Sequence, residues 1–391
     1  MMKFFNDEDA WLFAEGTHAM LYRKLGAHPV AGGVRFALWA PDARYASVIG
    51  TFNEWQPARS PLEFHVPTGI WCGVLPEPKP GDWYKYHIDG ADYPDQFGFA
   101  AEPLPGTASV IHDLNFRWTV SPPRPPDRTD LPSLVAPDRP YRELLGKVSA
   151  EAREMGFPQV ALTHSDGGFA PPARLGTPEE LVALVDELHA GGVSVGLRVP
   201  ELGSEAATGQ LRSIHLSQSQ FWKEVYRIRT VLPLHQGILA PSDPRLTAVG
   251  VVQLYASPGP KVRAVDDKSR ILVGTLNHVT ATEPAFAGGW TEPVLEDASG
   301  GVNAILRRTE NEQHIVLVVL NYSNETRANY RIGVPRRGFW RELLNTDAVE
   351  FGGSGQGNFG GVQASPVPLH GRSHSVTLTL PPFSALVLRP E

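Results

Sequence analysis

The first 118 residues alternate between hydrophobic and polar positions in short runs. Between Val34 and Trp39, the side chains of Val34, Phe36 and Leu38 fall on one side, which is the period of two that a half-buried strand shows. Proline, glycine and asparagine separate this run from three similar ones, at residues 45–52, 69–75 and 83–89. The pattern predicts a β-sandwich over residues 1–118.

The run at 83–89 indicates how this sheet divides its side chains. Tyr84, Tyr86 and Ile88 share one face, and Lys85 and His87 share the other. We expect one face to be buried and the other to be open to water or to a ligand.

Two aromatic residues lie in turns of this region, where the alternation does not bury them. Trp55 ends the sequence Phe-Asn-Glu-Trp after a strand, and Tyr93 lies in the loop Gly-Ala-Asp-Tyr-Pro. Sugars pack their C–H faces on aromatic rings, and Lys85 on the outward face of its strand is a donor for their hydroxyl groups. The alternative is that both rings fold back onto the sandwich, and the residues alone leave both interpretations open.

Residues 119–140 contain seven prolines, which is typical of a semi-rigid linker, and we place a domain boundary there. From Tyr141 onward the pattern alternates between helix and strand. Helical spacing runs from Leu144 to Met155, and buried strands are predicted at 159–162 and 193–199.

The clearest helix of the chain lies between these two strands. Thr177-Pro-Glu-Glu180 has the form of a capping box with proline in the first turn. The predicted buried stripe of this helix consists of Leu181, Leu184, Val185 and Leu188. A βαβ unit implies parallel strands. Beyond Pro200 the alternation of helix and strand patterns is no longer clear, and residues 203–270 predict one helix, at 217–228.

From about Leu276 the β pattern returns, with six segments that glycine and proline separate. They cover 302–307, 314–321, 327–334, 339–344, 374–380 and 384–389. This spacing predicts a second all-β domain.

Composition and charge narrow the classes of function. The chain has 391 residues, of which 42% are hydrophobic and 20% charged, and its net charge is −7. Such a balance argues against a general nucleic-acid or anionic-membrane surface, and no apolar stretch has the length of a membrane span. The N-terminus lacks the apolar core of a signal peptide, and Cys72 is the only cysteine. We expect a cytoplasmic protein without disulfides, metal sites or cofactors.

Two carboxylates follow the strands of the βαβ unit, where parallel folds place functional groups. Asp166 and Glu201 are weak candidates for glycosidic chemistry, which needs two carboxylates about 5–5.5 Å apart for retention. The alternative is that both are solvated loop acids. Gly355-Gln-Gly-Asn-Phe-Gly360 matches a dinucleotide-binding pattern, but no βαβ unit surrounds it.

Longer motifs at both ends of the chain resemble glycogen (1,4-α-glucan) branching enzymes. At the N-terminal end they are Glu15–His18, Leu21–Pro29, Phe36–Arg44, Gly50–Trp55, Gly69–Trp71, Tyr84–Tyr86 and Thr107–Val110. At the C-terminal end they are Leu276–His278, Glu283–Ala285, Tyr330–Pro335, Leu344–Asp347, Gly352–Gly355, His370–Arg372 and Leu378–Pro382.

The resemblance implies an early-set (immunoglobulin-like) β-sandwich that carries a carbohydrate-binding module. A catalytic (β/α)8 barrel of the α-amylase clan and a C-terminal all-β sandwich should follow. A complete barrel needs about 250 residues, more than the stretch from 141 to 275 contains. We therefore expect the module at 1–118, a linker at 119–140, a reduced α/β barrel remnant at 141–275 and the all-β domain at 276–391.

The catalytic pattern of the family is missing from this middle region. The strand that usually reads Leu-Asp-Trp-Val-Pro reads Gly196-Leu-Arg-Val-Pro200 here, so Leu197 replaces the aspartate. Gln236 and Gly237 stand where the motif V-L-P-L-S-H-D has histidine and aspartate. Segments of the forms D-G-[LF]-R-x-D and A-E-E, which supply the nucleophile and the acid, are absent from the sequence. Branching proceeds through a covalent glycosyl–enzyme intermediate, so a standard branching activity is not expected.

The binding pattern of the family is present. In related glycogen-binding modules, the Trp of F-N-x-W, the Lys of Y-K-[YF] and an aromatic residue of the following loop contact the glucan. Trp55, Lys85 and Tyr93 hold these positions.

The leading hypothesis is a non-catalytic, branching-enzyme-like protein that binds glycogen or another α-1,4-glucan and targets or regulates glycogen metabolism. One alternative is an active glycosyl transferase or glycoside hydrolase with a rebuilt site at Asp166 and Glu201. Another is an interaction subunit of a larger glycogen-metabolising assembly, or a self-associating protein. The last alternative is that the chain is a decaying or shortened derivative without a selected function.

Overall fold

The computed structural model describes nine stretches of the chain. They are residues 4–123, 132–164, 168–200, 208–228, 230–233, 246–257, 261–263, 269–286 and 290–391. The chain divides into two compact units. The first comprises Met1–Pro123, Ala136–Ser149 and Ala161–His235, and the second comprises Arg124–Val135, Ala150–Val160 and Gln236–Glu391.

The N-terminal region of the first unit forms a β domain, which confirms the predicted class of this region. Its strands are β1 (Gly26–Val30), β2 (Gly33–Trp39), β3 (Ala46–Gly50), β4 (Glu63–His65), β5 (Ile70–Leu75), β6 (Trp83–Ile88), β7 (Ala91–Tyr93), β8 (Ala100–Ala101) and β9 (Ser109–Val110). One sheet has the order β1-β2-β5-β4, and the other has the order β3-β6-β9-β8 with β7 paired to β6. Side chains such as Phe36, Val48 and Tyr86 form the core between them.

A helix that the sequence analysis did not predict precedes this domain. Helix α1 (Asp7–Glu15) begins at Asn6, whose side chain accepts from the backbone of Asp9, while the Asp9 carboxylate accepts from the backbone of Asn6. This reciprocal cap satisfies two orphan N–H groups. The α1 helix packs on helix α5 (Gly209–Glu224) of the same unit. An added Cβ at Gly209 would lie 1.8 Å from the carbonyl oxygen of Ala14, so this close approach needs glycine.

The middle of the chain contains short helices and strands. The helices are α2 (Tyr141–Leu144), α3 (Val148–Glu154), α4 (Pro178–Ala190), α6 (Thr247–Ala256) and α7 (Arg270–Thr282). The strands are β10 (Pro132–Val135), β11 (Gln159–Thr163), β12 (Ser194–Val199), β13 (Thr230–Pro233) and β14 (Lys261–Arg263). The pairs β12–β13 and β10–β14 are parallel. The reduced barrel itself stays a prediction.

The capping box of α4 is confirmed. Thr177 accepts from the backbone of Glu180, and the Glu180 side chain accepts from the backbone of Thr177. The predicted stripe of leucine and valine side chains on this helix is fully buried. Local capping and periodicity were therefore sufficient to predict this element.

Three expectations for the middle of the chain need correction. Of the helix expected from Leu144 to Met155, only α3 (Val148–Glu154) forms; α2 ends at Leu144, Leu145 leaves the helical region with a ψ of 136°, and Gly146 follows with a left-handed φ of 71°. The proline-rich stretch is not a linker throughout, since β10 lies within it and has a proline at its first position. Leu276 lies inside α7, and the following β region begins at Trp290.

A C-terminal all-β domain follows in the second unit, as the sequence predicts. Its strands are β15 (Trp290–Asp297), β16 (Val302–Arg308), β17 (Ile315–Asn321), β18 (Arg327–Val334), β19 (Phe339–Asn345), β20 (Gly361–Gln363), β21 (His374–Leu380) and β22 (Ser384–Pro390). A six-stranded sheet has the order β15-β16-β17-β22-β19-β20, and β18 pairs with β21. Their shared core contains Trp340, Val376 and Leu386, all fully buried.

Candidate functional site

The outward face of β6 carries the predicted lysine. Tyr84 and Tyr86 are almost fully buried in the core of the N-terminal β domain. Trp83, Lys85 and His87 alternate with them and therefore lie on the other face, where the Trp83 side chain is 39% exposed. Lys85 Nζ donates to the hydroxyl group of Thr107 at 2.7 Å in an exposed hydrogen bond. An ammonium group has three donors, so it can also serve a bound hydroxyl group.

The register of the edge strand β7 places Tyr93 away from Lys85. β6 and β7 pair His87 with Asp92 and Tyr86 with Tyr93. Directly paired residues share a face, and His87 Nδ1 lies 2.6 Å from the Asp92 carboxylate accordingly. Tyr93 is therefore on the Tyr86 side of the sheet, where it is 50% exposed.

Trp55 follows a turn that a buried asparagine holds in place. The Asn53 amide donates to the carbonyl oxygen of Val48 at 2.9 Å and to Ser60 Oγ at 3.0 Å, and its Oδ1 accepts from the backbone N–H of Gly50 at 2.9 Å. Trp55 has a left-handed φ of 58°, and its side chain is 38% exposed. The turn thus presents an aromatic ring from a backbone conformation that bulky residues disfavour.

A hydrogen bond connects this turn to the first residue of β6. Thr51 Oγ1 accepts from the backbone N–H of Trp83 at 3.3 Å. An added Cβ at Gly50 would lie 2.3 Å from the carbonyl oxygen of Trp83, so the close approach of the two strands depends on glycine. The turn that ends at Trp55 therefore begins beside Trp83.

Trp83 is a candidate contact that the sequence analysis missed. Its position was available from the same alternation that placed Lys85 and His87 outward, extended by two residues toward the N-terminus. The structure thus places the start of the Trp55 turn beside the backbone of Trp83, the strand residue that shares its outward face with Lys85, while Tyr93 belongs to the opposite face of the sheet. We call the side chains of Trp55, Trp83 and Lys85 the β6 patch.

A buried carboxyl group lies beneath β6. Tyr84 Oη donates to Asp95 Oδ2 at 2.6 Å, and the backbone N–H of Phe97 donates to Asp95 Oδ1 at 2.8 Å. Burial raises the pKa of Asp95 to about 6, although both hydrogen bonds act in the opposite direction. Asp95 fixes the loop after β7 against the core of the domain and titrates near neutral pH.

The predicted catalytic candidates, Asp166 and Glu201, lie outside the described residues, as do Gln236 and Gly237. Leu197 is buried in β12, opposite Val231 of β13. An apolar side chain therefore occupies the position that the family pattern gives to aspartate.

Within the described stretches, no group of three or more His, Cys, Asp or Glu side chains is arranged to hold a metal ion. No helix of the part that the structure describes is both long and apolar enough to cross a membrane. The glycine-rich segment 355–360 leads into β20 and not into a helix.

Family comparisons match the two β domains separately. Residues 24–105 match carbohydrate-binding module 48 (isoamylase N-terminal domain). Residues 294–391 match the alpha amylase C-terminal all-beta domain. The first match contains Trp55, Trp83, Lys85 and Tyr93.

Curated relatives match across the whole chain. The 1,4-alpha-glucan branching enzyme GlgB of Albidiferax ferrireducens is 27% identical over 618 aligned positions, which cover 98% of this chain and 99% of that protein. The enzyme of the same name from Aquifex aeolicus is 26% identical over 622 positions, with 99% of each chain covered. An alignment of 618 positions leaves at least 227 of them without a residue of this 391-residue chain.

A solved structure also shares the fold. It is the crystal structure of a candidate alpha amylase from Salmonella typhimurium, with a TM-score of 0.64 and 12% identity, covering 93% of this chain and 99% of that one. This structure shows the fold alone, whereas the two domain matches and the alignments with the curated relatives support a member of the α-amylase clan. Within the clan it is glycogen branching enzyme-like, because the relatives of that name align from end to end.

Proposed function

We propose that the chain binds α-1,4-glucan through the β6 patch of its N-terminal domain. The observation that carries this proposal is the pairing of a turn, which presents Trp55 at 38% exposure, with a strand that presents Trp83 and Lys85 outward. Aromatic rings pack on the C–H faces of sugars, and an ammonium group donates to their hydroxyls. The match to carbohydrate-binding module 48 and the names of the relatives support glucan as the ligand.

We further propose that the protein does not perform branching and instead targets or regulates glycogen metabolism. The missing nucleophile and acid segments support this role, as does the buried Leu197 in place of the family aspartate. The aligned positions of the relative at which this chain has no residue also support this role. Loss of either catalytic group costs several orders of magnitude in rate, so binding would be the function that remains.

Native electrophoresis through gels with and without glycogen tests the binding proposal. We expect the full chain to be retarded by glycogen, and Trp55→Ala to raise the apparent dissociation constant about tenfold. Trp11→Ala is the matched control, because Trp11 on α1 is more exposed than Trp55 and lies outside the β6 patch. Unretarded migration of the wild-type chain would reject the proposal.

A second candidate function is branching itself, which the names of the curated relatives favour. Incubation of the full chain with amylose, followed by iodine absorbance and chain-length analysis, separates the two candidates. We expect no new branches. Branch formation that disappears in Asp166→Asn and Glu201→Gln would support the rebuilt site instead.

A further inference from the structure

The C-terminal domain contains a turn built like that of Trp55. Asn358 is 7% exposed, and Phe359 after it has a left-handed φ of 53°. In the N-terminal domain, Asn53 is similarly buried and Trp55 adopts the same backbone region two residues later. A buried asparagine thus precedes an exposed, left-handed aromatic residue in both domains.

Hydrogen bonds from two strands hold Asn358. Its Oδ1 accepts from the backbone N–H of Thr379 at 2.8 Å, and its amide donates to the carbonyl oxygen of Thr379 at 3.1 Å and to Glu342 Oε2 at 3.2 Å. The preceding loop is fixed as well, since the Asp347 carboxylate accepts from the backbone N–H groups of Ser354 and Gln356. The segment before Phe359 is therefore anchored at both ends.

The Phe359 side chain contributes little to the stability of the fold. Its side chain is fully exposed, so it buries no apolar surface, and its left-handed φ costs free energy relative to glycine. Backbone strain that the surroundings enforce is concentrated at functional positions. The turn holds an aromatic ring in water at a cost in stability.

The neighbouring strand β19 supplies further groups. Trp340 is buried, so Phe339 and Arg341 on either side of it face outward. Gln363 of β20 pairs with Phe339 and shares this face. An added Cβ at Gly361 would lie 2.6 Å from Phe339 Cζ, so the ring of Phe339 lies across the backbone of Gly361, two residues after Phe359. We call the side chains of Phe339, Arg341, Phe359 and Gln363 the β19 patch.

We propose that the β19 patch is a second contact for α-glucan, located in the C-terminal domain. This inference rests on the glucan binding proposed above. Two aromatic rings offer platforms for the C–H faces of glucose units, and the guanidinium and amide groups donate to hydroxyls. The β6 patch likewise combines two aromatic rings with a cationic donor, on one strand and an adjoining turn. A polymer with many chains can engage both patches and gain avidity.

Glycogen-gel retardation of Phe359 variants tests the inference. We expect Phe359→Ala to raise the apparent dissociation constant about threefold to tenfold, and Phe359→Trp to retain wild-type binding because the ring is kept. Val349→Ala is the control, since Val349 is also a largely exposed apolar side chain of this domain. Because both side chains are exposed, the unfolding midpoints of the variants should match the wild type.

The possible results separate this inference from the proposed function. If wild-type chain is retarded and Trp55→Ala weakens binding, while Phe359→Ala binds like the wild type, the β19 patch is not a glucan contact and the proposed function stands. If the wild-type chain is not retarded, the proposed function fails. If Phe359→Ala leaves glycogen binding unchanged but alters the mass measured by light scattering, the patch joins copies of this chain and the inference is overturned.

Discussion

The turns that precede Trp55 and Phe359 use the same residue type in different ways. All three side-chain partners of Asn53 lie within seven residues of it, whereas Asn358 reaches residues 16 and 21 positions away. The first turn is consequently a local structure that a short motif encodes. The second exists only after β19 and β21 have come together. The comparison indicates that exposed aromatic residues in this chain are positioned by both short-range and long-range contacts.

The largest expected effect is a loss of stability when an asparagine is replaced by aspartate, and this loss should be greater at Asn358 than at Asn53. Asn358→Asp places a carboxylate oxygen near Glu342 Oε2, and burial already raises the pKa of Glu342. We expect the free energy of unfolding to fall by about 3 kcal/mol at pH 8, and by less at pH 5, where one carboxyl group of the pair takes up a proton.

Asn53→Asp is the matched control for this substitution. The partners of the Asn53 side chain are two backbone groups and a hydroxyl group. We expect a loss of about 1–2 kcal/mol at pH 8, with a smaller pH dependence than that of Asn358→Asp, because no carboxylate is among these partners. Urea unfolding at pH 5 and pH 8 provides the measurement, and equal pH dependence of the two variants would contradict the distinction.

A second effect comes from two buried carboxyl groups, Asp95 in the N-terminal domain and Glu342 in the C-terminal domain. The native pKa of Asp95 is raised to about 6, so between about pH 4 and 6 the native state binds a proton that the unfolded state has released. The contribution of Asp95 to stability must therefore fall as pH rises through this range, by on the order of 2–3 kcal/mol. Asp95→Asn should remove this fall.

Glu342→Gln should act in the same direction, because burial raises the pKa of Glu342 also. Urea midpoints of the wild type and both variants, measured from pH 4 to 7, test the sign. A wild-type stability that rises between pH 4 and 6 relative to that of Asp95→Asn would show the assignment to be wrong.

The sequence predicted elements whose causes are local. Sequence spacing alone predicts the capping box at Thr177 and the buried stripe from Leu181 to Leu188. It also predicts the inward position of Tyr84 and Tyr86. The same reasoning failed where a single residue or a distant strand decides the outcome. Leu145 and Gly146 leave the helical region between α2 and α3, and β10 lies in a proline-rich stretch, where it pairs with the distant strand β14.

The candidate sites divide in the same way. Trp55 and Lys85 were predicted from a turn and an alternation, and their role as glucan contacts stays a prediction. In the sequence, the glycine-rich segment around Phe359 matches only a dinucleotide-binding pattern. Its exposed ring depends on Thr379 and Glu342, which are distant in the sequence, so no local pattern could indicate it.

A third test asks whether the two patches act together on a branched polymer. The double variant Trp55→Ala/Phe359→Ala should lose about 100-fold in apparent affinity for glycogen, because avidity needs both contacts. Maltoheptaose is a single short chain, so Phe359→Ala should leave its affinity for the N-terminal domain within about twofold of wild type. Gel retardation and tryptophan fluorescence titration measure the two ligands. Equal losses on both ligands would mean that Phe359 acts through the structure and not through a separate contact.

The smallest expected effect is a difference in glycogen affinity between variants on the two faces of the N-terminal sheet. Trp83 lies on the outward face with Lys85, whereas Tyr93 shares the face of the buried Tyr86. Trp83→Ala should therefore weaken glycogen binding about threefold to tenfold, and Tyr93→Ala by less than about twofold. Both side chains are partly exposed, so unfolding midpoints should change little and gel retardation can be compared directly. A larger loss for Tyr93→Ala than for Trp83→Ala would move the glucan to the edge strand β7 and restore Tyr93 as the partner of Trp55.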